Sequence, residues 1–177
     1  MIAEIADTYG YLLGRWRVQR TFVDHRLERS GSFSGVVDMA PIGSDDQFTA
    51  TYCEFGELRI GAYRGDARRK LICVRRPDGV VAIKFDDRRA FLECDLRSGR
   101  GRAVHLCGDD RYQITWRVHA SDAFVEEWRV RGPSKDYQAT SVLRRAGHSG
   151  QPTRGAEGVT RPWWSPGQPE PASCRRA

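Results

Sequence analysis

The run from Phe124 to Tyr137 constrains this chain most. Phe124, Trp128 and Val130 alternate with polar residues, so they share one face of a strand. The strand meets Gly132-Pro133, a turn signal that hands it directly to a second strand beginning near Tyr137. Leu13-Gly14-Arg15-Trp16-Arg17-Val18 carries the same alternation at the other end of the pattern. Together these segments predict a closed antiparallel barrel whose first and last strands meet, and small closed barrels hold side chains or a ligand in the lumen.

Between these ends the texture is period-two alternation broken by Gly, Asp, Pro and Ser, the mark of an all-β domain. The predicted strands are 14–23, 31–39, 47–55, 58–63, 68–76, 80–86, 90–97, 101–107, 111–119, 123–131 and 137–145, within an expected range of 8–11. Pro77-Asp78-Gly79 and Cys107-Gly108-Asp109-Asp110-Arg111 are the clearest hairpin turns. Ile2, Ile5, Tyr9, Leu12 and Leu13 recur at helical spacing and predict a short helix over 2–12. The expected barrel domain is thus 1–146, with its strands in 14–145. From there to residue 177 Gly, Pro, Ser and Arg dominate, which reads as a disordered tail; Trp163-Trp164 folding back over a barrel mouth is the alternative.

At 177 residues the chain is long enough for one domain with a real core. Its apolar runs fall far short of the ~20 residues a membrane helix needs. Met1–Asp7 lacks the basic start and apolar core of a signal peptide, so a cytoplasmic location is expected. The net charge of +6 invites a nucleic-acid reading. Yet Lys70, Lys84 and Lys135 are the only lysines, the arginines are scattered among 23 acids, and no stacking motif accompanies them. Nucleic acid and membrane are therefore not the expected partners. Five cysteines without a Cys-x-x-Cys pair predict free thiols and no structural metal.

Alternation also predicts the lumen. Trp16, Val18 and Phe22 share a face with Arg20; Phe48, Ala50 and Tyr52 share one with Glu54. Tyr112, Ile114, Trp116 and Val118 line a later strand, and Phe124, Trp128 and Val130 share a face with Glu126. A lone buried charge is costly, so Arg20, Glu54 and Glu126 should meet each other or a ligand. Either Arg20 and a glutamate form a structural pair, or they make a site. In the second case Glu54 or Glu126 is the acid or base, while Arg20, Tyr52 or Tyr112 stabilises developing negative charge.

Two further places carry chemistry-bearing residues. His105 and Cys107 share a strand face and could share a ligand, although a packed thiol beside a hydrogen-bonded imidazole is the preferred reading. Arg131, Lys135 and Tyr137 sit at an expected barrel rim, where the two cations could capture an anion. No phosphate-binding loop, dinucleotide fingerprint, Gly-x-Ser-x-Gly or His-Glu-x-x-His is present.

Five segments resemble an uncharacterised family of bacterial and plant proteins similar to lipocalins and to fatty-acid-binding and nitrobindin-type barrels. They are Leu13–Arg20, Tyr52–Leu58, Phe85–Phe91, His105–Tyr112 and the Trp-x-Val-Arg-Gly-Pro-x-Lys-Asp-Tyr motif at 128–137. The resemblance implies a lipocalin-like (calycin-type) barrel in which Arg144 or Arg145 packs over the indole of Trp16. The family pattern has a histidine after the phenylalanine of the 85–91 segment; here Leu92 stands there.

The expected function is binding of a small, partly apolar molecule, neutral or anionic, lined by Trp16, His105, Cys107, Tyr112, Trp116, Trp128, Arg131, Lys135 and Tyr137. The protein would be a monomer or homodimer. The expected chemistry is cofactor-independent acid–base catalysis of cyclase, isomerase or dehydratase type. Alternatives are a non-catalytic carrier or sensor, or a haem-binding barrel with His105 or Cys107 as axial ligand.

Overall fold

The computed structural model describes residues 2–43 and 48–147. Both expectations for the tail from 148 onward lie outside the described residues. One short helix, α1 (Thr8–Leu12), precedes ten strands: β1 (Gly14–Asp24), β2 (Arg29–Pro41), β3 (Thr49–Ile60), β4 (Tyr63–Arg75), β5 (Val81–Phe85), β6 (Ala90–Cys94), β7 (Arg100–Cys107), β8 (Asp110–Ala120), β9 (Ala123–Gly132) and β10 (Lys135–Arg145). They form one antiparallel sheet in the order β6-β5-β4-β3-β2-β1-β10-β9-β8-β7. The first and last strands do meet: Trp16 lies opposite Arg145 and Asp24 opposite Tyr137. The barrel is nearly rather than fully closed, because no ladder joins β6 to β7.

Ten strands replace the eleven predicted because Gly56-Glu57 does not break a strand. Gly56 lies inside β3 opposite Gly35 of β2. A Cβ on Gly56 would meet the Phe33 ring at 2.7 Å and the Gly35 Cα at 2.6 Å. The glycine pair thus makes room for Phe33 to lie across the inner wall. The chain turns five residues later, at Gly61, whose φ of 56° suits glycine.

The helix is shorter than predicted. Asp7 caps it by accepting from the Gly10 amide at 2.7 Å. Residues 2–6 are not helical, because other backbone partners are at hand: the Ala3 amide donates to Val118 O and the Ile5 amide to Arg97 O. This segment and α1 plug one end of the barrel. There the Arg145 guanidinium lies 4.0 Å from the Trp16 ring centroid and donates to the carbonyls of Leu13 and Tyr11. Between the two arginines implied by the family resemblance, the structure selects Arg145. Phe124 and Tyr11 complete the cluster, with Phe124 set edge-on to Trp16 at 4.9 Å.

Alternation places the core as expected on β1, β8 and β9: Trp16, Val18, Ile114, Trp116, Val118, Phe124, Trp128 and Val130 are all buried. Phe48 is a correction. It precedes β3 in a turn and is 56% exposed, so it does not continue the inward face of Ala50. Among the described residues no helix is long and apolar enough to cross a membrane.

Candidate functional site

Five strands, β1, β3, β4, β9 and β10, contribute inward polar side chains that form a belt across the lumen. Arg20 on β1 donates from Nη2 to Glu54 Oε1 at 2.8 Å and from Nε to Ser141 Oγ at 2.7 Å. Arg69 on β4, directly opposite Glu54 in the β3–β4 ladder, holds its Nε 3.2 Å from Glu54 Oε2. Glu54 therefore spends both oxygens on arginine. Glu126 on β9 accepts from the indole N–H of Trp116 at 2.9 Å and of Trp128 at 2.6 Å, and its Oε1 lies 3.9 Å from Arg20 Nη2. Tyr52 on β3 accepts from Arg69 Nη2 at 3.1 Å.

The belt contains two guanidiniums and two carboxylates, so the formal charges cancel within it. Arg20, Glu54 and Arg69 are buried. Removing such ions from water costs several kcal/mol each, and only mutual pairing in good geometry recovers it. Burial, reinforced by the Glu54 charge, raises the Tyr52 phenol far above its ordinary value. The phenol therefore keeps its proton at any physiological pH. Because its oxygen accepts from Arg69, its own O–H is left to donate elsewhere.

Between this belt and the α1 plug lies a cavity of about 50 Å³. Its wall is apolar, from Leu12, Trp16, Val37, Met39 and Leu143 among others, except for Tyr52 and Glu126. At ~10–15 Å³ for a water, it holds a few water-sized atoms as it stands. A larger occupant requires movement of flexible side chains such as Met39. Two thiols, Cys73 and Cys94, also face this space. Burial raises Cys73 to about 12 and, with the Glu126 charge, raises Cys94 well above an ordinary thiol.

The remaining sequence-predicted residues lie elsewhere. His105 on β7 is half-buried in an aromatic cluster, with its ring 5.0 Å from Phe91 and 5.8 Å from Tyr112. Burial, with the Arg89 charge behind it, lowers its pKa, while a hydrogen bond to the Phe91 backbone pulls the other way. Cys107 ends β7 and is disulfide-bonded, so free thiols are found at Cys53, Cys73 and Cys94 but not there. At the rim opposite α1, Lys135 Nζ lies 2.7 Å from Asp110 Oδ2 and donates to Tyr112 Oη at 2.7 Å. Asp110 already neutralises Lys135, whereas Arg131 is exposed on the outer face of β9, so the two cations do not converge. Tyr137 is buried beside them, and burial raises its pKa well above the ordinary value.

A haem on His105 or Cys107 does not fit this arrangement. The imidazole is packed among the rings of Phe85, Phe91 and Tyr112, Cys107 is disulfide-bonded, and the lumen space is about 50 Å³. Among the described residues no group of His, Cys, Asp and Glu has the arrangement of a metal site.

Sequence reasoning missed Arg69, Ser141 and Asp110. Arg69 shares the inward face of Ala67, Leu71 and Cys73, a signal masked by its neighbours Arg68 and Lys70 in a basic run.

Residues 12–145 match the model of a family of unknown function, DUF6314. The chain belongs to this family. No curated protein matches it. Among solved structures it is similar to the S-type phycobiliprotein lyase CPES from Guillardia theta, at 10% identity and a TM-score of 0.60, over 80% of this chain and 92% of that one. It is also similar to a protein of unknown function from the DUF3598 family of Nostoc punctiforme, at 12% identity and a TM-score of 0.52. That match covers 82% of this chain but about half, 51%, of the other. At these identities the likeness establishes the barrel fold alone.

Proposed function

We propose that this DUF6314 protein binds a small, largely apolar molecule in the lumen, between the charged belt and the α1 plug. One observation carries the reading. Tyr52 and Glu126 are the polar groups presented to an otherwise apolar cavity, and the belt fixes both in place. Pockets of this make-up, apolar with a few positioned polar groups, are how small-molecule sites are built. The ligand matched to them carries an acceptor, such as a carbonyl, for the Tyr52 O–H and a donor for Glu126.

The Arg69–Tyr52 contact favours a second reading, cofactor-independent acid–base catalysis. A phenol whose oxygen accepts from a guanidinium is a stronger hydrogen-bond donor to negative charge developing on a ligand, and Glu126 would take the ligand's proton. Glu54, held between two arginines, serves in either reading as the counter-ion that positions them. The likeness to a phycobiliprotein lyase is one of fold and adds no substrate.

Native mass spectrometry of freshly purified protein, paired with an absorption spectrum, tests the proposal. A retained small-molecule mass in the wild type, lost in Glu126→Gln and in the cavity-filling Cys94→Leu, is the expected result. An apo mass throughout, with no added small molecule protecting the lumen thiols, overturns it. Between the two readings, Tyr52→Phe weakens retention for a carrier but leaves retention and abolishes turnover for an enzyme.

A further inference from the structure

β6 and β7 are consecutive in the chain and joined by residues 95–99, yet they form the two unpaired edges of the sheet. The connection explains this in part. Leu96 is fully buried, its amide donating to the Thr8 hydroxyl at 2.9 Å, and Gly99 is pressed against the Ala3 carbonyl. The plug thereby holds the linker, and the two strands leave it without zipping. A bulge adds to the separation: Ile83 pairs with Leu92 and Lys84 with Ala90, so Phe91 is the extra residue on β6. Bulges re-aim side chains, and here Phe91 turns into the seam, 5.0 Å from the His105 ring and 4.5 Å from Phe85.

Outside the seam runs a groove of about 340 Å³ lined by Ile83, Lys84, Phe91, Leu92, Arg102 and Val104 among others. Two features give it a chemistry. Part of its floor is apolar, with Val104 43% exposed. Two of its cations are uncompensated: neither Lys84 nor Arg102 has an ion-pair partner among the described residues, while Glu93, which also lines the groove, is paired with Arg76 at 2.6 Å. One residue, Ile83, lines both this groove and the lumen cavity.

We propose that the β6–β7 seam is the mouth of the lumen and that the groove outside it is a docking site for small amphipathic anions. The apolar body of the anion lies on Ile83, Phe91 and Leu92, and its carboxylate, sulfonate or phosphate group meets Lys84 and Arg102. Passage inward needs the seam side chains to part, but no ladder hydrogen bonds have to break. The mouth rests on the lumen reading above, whereas the docking site stands without it.

1-Anilinonaphthalene-8-sulfonate is the probe for the groove, and its uncharged analogue N-phenyl-1-naphthylamine the control. The double variant Lys84→Gln/Arg102→Gln is expected to weaken the sulfonate by roughly five- to tenfold, the effect of two partly exposed cations. It should leave the analogue unchanged. Arg17→Gln/Arg144→Gln removes the same charge from the exposed face of β1 and β10, across the barrel, and should change neither. Equal weakening by both double variants, or by neither, overturns the docking site.

The mouth is read from Cys94, which faces the lumen, using the small neutral reagent methyl methanethiosulfonate at mildly alkaline pH. Ile83→Ala should speed its labelling several-fold, and saturating sulfonate should slow it in the wild type. Cys53, exposed on the outside, should label alike in all cases. Cys94 labelling indifferent to both changes overturns the mouth. The retained-mass experiment fails or succeeds separately, so loss of the lumen ligand and loss of the mouth are distinguishable.

Discussion

At the residue scale the belt is governed by the asymmetry between a complete and a broken buried ion network. Glu54 neutralises Arg20 and Arg69 together, so Glu54→Gln leaves two buried guanidiniums facing each other. Loss of about 3–5 kcal/mol of unfolding free energy is expected, the cost of stranding a buried charge. The exposed Arg117–Glu127 pair is shorter, at 2.5 Å, but Glu127→Gln there should cost under ~1 kcal/mol. Urea titrations of both variants check the contrast. His105 supplies a pH test with a definite sign. Its folded pKa is lowered from 6.5 by burial, so between that lowered value and 6.5 the unfolded chain binds the extra proton. Stability should therefore fall as the pH drops through this window, and His105→Gln should flatten the dependence measured by denaturation midpoints. Arg20, Glu54 and Glu126 were legible because each stands alone among apolar residues on an alternating face. Arg69 was not, because period two is hard to see inside Arg68-Arg69-Lys70.

At the scale of elements, the sequence reveals strands better than it reveals where they stop. Gly56 was misread as a strand end because a glycine in an alternating run marks either a turn or a close approach. Only the facing Gly35 and the Phe33 ring decide between them, and neither is local to Gly56. The same contact makes a prediction. A Cβ at Gly35 would stand 2.3 Å from the Phe55 carbonyl oxygen, a backbone atom that no rotamer change can move aside. Gly35→Ala should cost about 1–3 kcal/mol as an overpacked site, read as a lowered thermal midpoint. The N-terminal segment taught the complementary lesson. Its helical spacing is real, but carbonyls on Val118 and Arg97 capture the amides of Ala3 and Ile5. The contribution of tertiary partners is invisible to a periodicity.

For the whole molecule, one interruption in the ladder matters more than the continuity of the rest. The alternation and turns predicted a barrel with its ends joined, and β1 and β10 do join. The gap between β6 and β7 left no mark in the sequence, since it arises from a linker held by Thr8 and Ala3, far back along the chain. A barrel held by backbone hydrogen bonds opens only with cooperative unfolding, whereas a seam held by side chains opens locally. Amide hydrogen exchange should separate the two. The β6 and β7 amides that face the seam should exchange by local opening, with little dependence on denaturant. Those of the β1–β10 ladder should exchange only with global unfolding, with a dependence as steep as the equilibrium transition. Phe91→Ala, which removes the ring bridging to His105 and Trp128, should speed the seam amides further and leave the ordering intact. If the seam amides instead follow the global transition, the barrel is sealed by packing alone, and ligand would have to pass the neutralised Lys135–Asp110 rim and the charged belt to reach the cavity. Each of those barriers is an ion pair to be broken, and neither is present at the seam.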